Sequence, residues 1–192
     1  MAGSHGPAFQ KADPGCLAGG KAGGKGVMKL YLLRHGEAVD IGECGVRTDG
    51  ERRLTREGRE CTSEVIRRVR NVCRPRRIWT SPLVRARETA AIAGEILTPD
   101  SPPSVLELLK AGAPPREIAS WVRSCREDSL MLVGHMPDLA RLAVWLTSGV
   151  MAEGLVLKKS GVCCIEFEGT VREKTGRLLW LVSPSLLSRL EP

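Results

Sequence analysis

The chain has 192 residues, of which 42% are apolar, 27% charged and only 4% aromatic. That composition suits one ordinary domain with an aliphatic core and excludes a wholly disordered or fibrous chain. No run approaches the ~18 apolar residues of a membrane span, and the N-terminus lacks the apolar stretch of a secretory signal, so no membrane partner is expected and the cytoplasm is the expected location.

Net charge is +7, and the excess is uneven. Between Arg47 and Arg87 lie thirteen Arg and no Lys, against five acidic residues. Such a segment could attract an anionic partner. No nucleic-acid motif or aromatic stacking platform accompanies it, so it reads as a solvated helix face and no nucleic acid is expected. The seven Cys (16, 44, 61, 73, 125, 163 and 164) form no C-x-x-C pair. They read as buried or incidental thiols in a reducing compartment, without metal or disulfide roles.

In chain order, residues 1–27 are rich in Gly and poor in large apolar groups, and are expected to be a disordered tail. Gly19-Gly20-Lys21-Ala22-Gly23-Gly24-Lys25-Gly26 falls short of a P-loop, because no strand precedes it and Gly26 stands where a hydroxyl residue is needed. The folded domain is expected over 28–192. Lys29–Leu33 is a short apolar run that reads as a buried strand ending at Arg34-His35-Gly36. Thr55 caps a helix carrying Cys61, Val65, Val69 and Val72 at helical spacing. Ile78–Thr80 reads as a second strand, and Ser81-Pro82 as the cap and first residue of a helix through Leu97. A proline-rich link leads to Val105-Leu106, and Pro114-Pro115 precedes a helix over 116–126. Leu130–Val133 is the next buried strand, ended by Gly134-His135. Pro137-Asp138 starts an apolar helix, and strands at 162–167 and 178–182 close the chain. Strands separated by helices predict an α/β three-layer sandwich with a mainly parallel central sheet and helices on both faces.

In such sheets ligands gather outside the carboxyl ends of the strands. Three strand exits carry polar residues: Arg34-His35-Gly36, then Ser81 with Arg85, then His135. Two Arg and two His meeting at one point form a site for a tetrahedral dianion. Arg forks hold phosphoryl oxygens and keep their charge. A neutral His is a nucleophile through one ring nitrogen when the other is hydrogen-bonded. Gly36 would let the backbone turn and approach the bound group. Phosphoryl transfer depends mainly on positioning and charge, so this set suffices with no metal or other cofactor. Ser81 alone reads as a helix cap, and Lys158, Lys159 and Ser160 as a solvated loop.

These residues resemble the histidine phosphatase superfamily (phosphoglycerate-mutase-like), and within it the short SixA-type phosphohistidine phosphatases. The likeness runs through Leu32-Leu33-Arg34-His35-Gly36-Glu37-Ala38, then Arg52, Leu54-Thr55 and Gly58. It continues in Ser81-Pro82-Leu83-Val84-Arg85-Ala86-Arg87-Glu88-Thr89 and ends in Val133-Gly134-His135-Met136-Pro137. The resemblance implies that His35 is phosphorylated during turnover, that Arg34, Arg85 and His135 hold the phosphoryl group, and that water then releases phosphate. Arg53 stands where the SixA-type pattern has Pro. Val39-Asp40-Ile41-Gly42 replaces the Trp-Asn pair of mutase-like members, which argues against mutase chemistry.

Many members of that superfamily use a Glu or Asp as general acid. Glu107 is the first candidate here, with Glu37 and Asp138 behind it. A phosphohistidine substrate relaxes the need, because imidazole leaves more readily than an alkoxide. The expectation is a monomeric phosphatase acting on phosphohistidine in a protein of the histidine phosphotransfer or phosphocarrier type. The alternatives are a phosphomonoesterase on a small metabolite and a non-catalytic phosphate-binding module.

Overall fold

The computed structural model describes Gln10, Lys11 and residues 26–152 and 154–190. The glycine-rich stretch over 19–25 and most of the expected tail lie outside the described residues. Gln10–Lys11 (β1) pairs in parallel with Ser104–Val105 (β4) at one edge of the sheet.

Eight residues, Val27–Arg34, form β2, and Arg77–Thr80 form β3. Ser129–Gly134 form β5, Val162–Glu168 β6, and Gly176–Val182 β7. The sheet order is β1-β4-β3-β5-β2-β6-β7, with β1 to β5 mutually parallel where they pair. β6 runs antiparallel to β2, and β7 antiparallel to β6. The short connection between β6 and β7 has no room for a crossover helix, so those two strands can only form a hairpin.

Alternation along the central strands sorts the core into two layers. Leu30, Leu32, Leu130, Leu132, Cys163 and Ile165 face α3 (Pro115–Ser124) and α4 (Asp138–Ser148), and pack on Ile118, Val122, Leu142 and Leu146. Tyr31, Leu33, Met131, Val133, Val162 and Cys164 face the other way. They meet Val65, Ile66 and Val69 of α1 (Arg56–Val69) and Ala86, Ala90 and Ala93 of α2 (Val84–Leu97). Every residue of β5 is buried, as expected of a strand covered on both faces. A final turn of helix, Pro184–Leu187 (α5), packs near α1. None of the described helices is long and apolar enough to cross a membrane.

Thr55 caps α1 as its sequence predicts, accepting from the Gly58 amide. The start of α2 differs from expectation: the helix begins at Val84 with Leu83 as its cap residue, and Ser81 lies outside it. Cys73, Cys163 and Cys164 are buried, and burial pushes the Cys73 thiol above its usual range, so these thiols are inert packing groups.

Candidate active site

Three parallel strands deliver the polar residues to one end of the sheet. β2 ends in Arg34 and hands the chain to His35, whose amide donates to Gly134 O at 3.1 Å and whose carbonyl accepts from Ser160 N at 3.2 Å. Thr89 of α2 accepts from the Gly36 amide at 3.1 Å. The histidine backbone is thus tied to β5, to the loop before β6 and to α2. Gly36 does not adopt a positive φ. Its missing side chain makes room for α1: a Cβ there would lie 2.6 Å from Thr62 Oγ1 and 2.9 Å from Gly58 O. Gly58 is tighter still, since its Cβ would meet Glu37 O at 2.2 Å. Close packing on α1, rather than a sharp turn toward a ligand, accounts for Gly36.

The His35 ring is nearly buried. Its Nδ1 lies 2.7 Å from Gly36 O, a pure acceptor, so Nδ1 carries the proton and Nε2 keeps its lone pair. Arg85 Nε donates to that Nε2 at 3.3 Å. The His135 ring stands 5.0 Å from the His35 ring, centroid to centroid. His135 Nε2 is 2.8 Å from Ser81 Oγ, whereas its Nδ1 is buried without a hydrogen-bond partner. With the Ser81 hydroxyl as donor, the His135 proton sits on Nδ1, free for an incoming acceptor. Arg34 Nη1 donates to Leu157 O at 2.9 Å, and Arg34 Nε is also buried and unpartnered. Two buried donors without a protein partner, together with an Arg85 guanidinium turned to an unprotonated imidazole nitrogen, suit an oxyanion.

Electrostatics favour neutral rings. Burial is the main reason the His35 pKa falls to about 3, and His135, Arg85 and Arg34 lower it further against the Gly36 hydrogen bond. Burial, then Arg85 and Arg34, likewise bring His135 down to about 4, opposed by Asp49. Burial also lowers the Arg34 pKa. Since both histidines bind a proton near pH 6.5 when unfolded, acid favours the unfolded chain from about pH 6.5 down to their native values. At about 1.36 kcal/mol per pKa unit, moving from pH 7.5 to 5 is expected to remove on the order of 4 kcal/mol of stability. Urea unfolding at the two pH values checks this. The His35→Gln/His135→Gln double variant should lose much less, and an equal loss in both proteins would rule the assignment out.

Each expected acid has a partner of its own, and Glu37 also lines the groove beside Arg34. Glu107 is exposed, sits in a short 3-10 turn and pairs with Lys110. Glu37 pairs with Lys159 at 2.8 Å, and Asp138 accepts from the Gly112 amide. A carboxylate bonded directly to the cluster is Asp49, which sequence reasoning passed over. Arg85 Nη2 donates to its Oδ2 at 3.0 Å and Arg85 Nη1 to its carbonyl at 2.8 Å. Ser81 was also under-read, because its hydroxyl serves His135 as well as the local turn. Ser160 is buried rather than solvated, its Oγ 2.8 Å from Thr62 Oγ1. With Arg34, Lys158 and Lys159 it lines a groove of about 600 Å³ beside the cluster, closed by Glu57, Cys61 and Pro184. Among the described residues, no group of three or more His, Cys, Asp or Glu is gathered as a metal site.

Residues 30–110 match the histidine phosphatase superfamily (branch 1), and the protein is a phosphatase of that kind. An uncharacterised protein of Picosynechococcus sp. is 36% identical over 140 residues, covering 70% of this chain and 82% of that protein. The chain belongs to the histidine phosphatase superfamily. Its fold is that of the protein histidine phosphatase SixA complexed with tungstate, at TM-score 0.70 and 20% identity, covering 83% of this chain and 99% of the other. A mycobacterial glucosyl-3-phosphoglycerate phosphatase shares the fold at TM-score 0.62 and 18% identity, covering 82% of this chain and all of the other.

Proposed function

We propose that the protein removes phosphoryl groups from phosphohistidine on a protein substrate, by way of a covalent phosphohistidine at His35. The observation that carries this reading is the state of His35: Nδ1 tied to a carbonyl, Nε2 unprotonated and facing Arg85, whose Nε donates to it. In the first step Nε2 attacks phosphorus while the bond to the leaving nitrogen breaks, the electron pair returning to the substrate ring. Arg34 and Arg85, with the free Nδ1–H of His135, neutralise the oxygens as charge spreads over them. Water then attacks the phosphoryl group, the P–Nε2 bond breaks, and His35 recovers its lone pair as phosphate leaves.

Two features support nitrogen over oxygen as the substrate's phosphoryl carrier. Asp49, the carboxylate bonded to the cluster, is held below its ordinary pKa: burial would raise it, but hydrogen bonds and charge from Arg85 and Arg52 outweigh that. An ionised Asp49 is a poor acid for an alkoxide leaving group, whereas imidazole needs little help. The shared fold with SixA agrees in kind. A small phosphate ester is the second reading, favoured by the groove beside Arg34, which has room for the rest of a metabolite. A panel of phosphohistidine-bearing protein and small phosphate esters separates the two. The expected outcome is a kcat/KM for the phosphoprotein about 100-fold or more above that of any ester, a gap near 3 kcal/mol in transition-state binding. Preference for an ester would overturn the assignment.

A further inference from the structure

Asp49 occupies a position that the chemistry above leaves unused. Its short turn, Asp49–Glu51, lies in the loop between β2 and α1, and Glu51 braces it by accepting from the Arg47 and Thr48 amides at 2.9 and 3.2 Å. The Asp49 carboxylate meets Arg85 at 3.0 Å and Arg52 at 3.3 Å, and its charge is felt by His135. About half of its side chain remains exposed, so it can exchange partners.

The guanidinium of Arg85 links two ends of the site. Its Nε points to the nucleophilic nitrogen of His35, and its Nη atoms point to Asp49. His35 Nε2 and the Asp49 carboxylate are thus joined by one guanidinium, and a phosphoryl group held along it in line with Nε2 would put its leaving group by Asp49. Departure of neutral imidazole requires a proton on the ring nitrogen remote from phosphorus. A carboxylate next to that N–H favours the protonated ring and asks for no proton transfer of its own. The same charge repels carriers that bear a carboxylate or a second phosphate.

We propose that Asp49 is a specificity-determining residue, accepting a hydrogen bond from the N–H of the leaving imidazole and disfavouring anionic phosphate esters. The proposal rests on the phosphohistidine reading and adds the feature that selects for it. The phosphoryl group moves to His35 Nε2, the bonding pair of the broken P–N bond stays on the departing nitrogen, and the remote N–H leaves with the ring.

The test compares wild type with Asp49→Asn on two small probes, N-phosphoimidazole and p-nitrophenyl phosphate, whose phenolate departs without a proton. The ratio of the two kcat/KM values, phosphoimidazole over ester, is expected to fall about tenfold or more in Asp49→Asn, the weight of one charge-assisted hydrogen bond. An unchanged ratio, whether both rates rise because Arg85 is released or both fall because the loop is disturbed, overturns the proposal. Failure of the wild type itself on phosphohistidine would instead remove the broader reading, so the two failures are distinguishable.

Discussion

His35→Ala is expected to abolish turnover, lowering kcat by about 10⁴-fold or more, the range seen when a covalent nucleophile is removed. No neighbour can replace it. His135 lies alongside, but its Nε2 is engaged by Ser81 and its proton is assigned to Nδ1, so it offers no lone pair toward the phosphoryl position. The main-chain hydrogen bonds of residue 35, to Gly134 and from Ser160, survive the substitution, so loss of activity will not reflect loss of fold. Thermal unfolding and near-ultraviolet circular dichroism check that point. Wild-type protein quenched during turnover should carry an acid-labile, base-stable phosphoryl label that the variant lacks. Activity within tenfold of wild type would show that another group is the nucleophile.

Arg85 carries the second large effect. Its side chain is 8% exposed, and its guanidinium contacts His35 and Asp49 together. Arg85→Ala removes the fork that spans His35 and Asp49. The expected loss in kcat/KM is about 10²–10³-fold, the usual result of deleting one preorganised donor to a transition-state oxyanion. Arg85→Lys keeps the charge but not the planar pair of donors, and should recover only a small part of the loss. Inhibition by inorganic phosphate reports ground-state binding separately, and is expected to weaken in both variants. Full activity in Arg85→Lys would mean that charge alone suffices and that the fork has no role.

Much of this site was legible in the sequence because short parallel strands end abruptly, and the residues after them have few places to go. Arg34-His35 after β2 and His135 after β5 follow from that alone, and Arg85 from its helix just after β3. Asp49 was hidden for the opposite reason. Its place depends on the path of the loop from Val39 to Arg53, which is set by long-range contacts such as Arg52 with Asp40 and Arg85 with Asp49. Local pattern contains no trace of those. Ser81 shows a different limit: a Ser-Pro pair before a helix looks like a cap whatever else its hydroxyl does. The antiparallel hairpin of β6 and β7 was within reach, since only a short turn joins them.

The tethering of residue 35 has a practical consequence. Its peptide group is laced to three neighbouring segments, so the scaffold does not depend on the imidazole it presents. On the proposed function, a disarmed chain with Ala at this position is expected to keep its arginine contacts with a phosphorylated protein and not to discharge it. Such a bait, immobilised and washed with phosphate as competitor, gives a direct route to the physiological target.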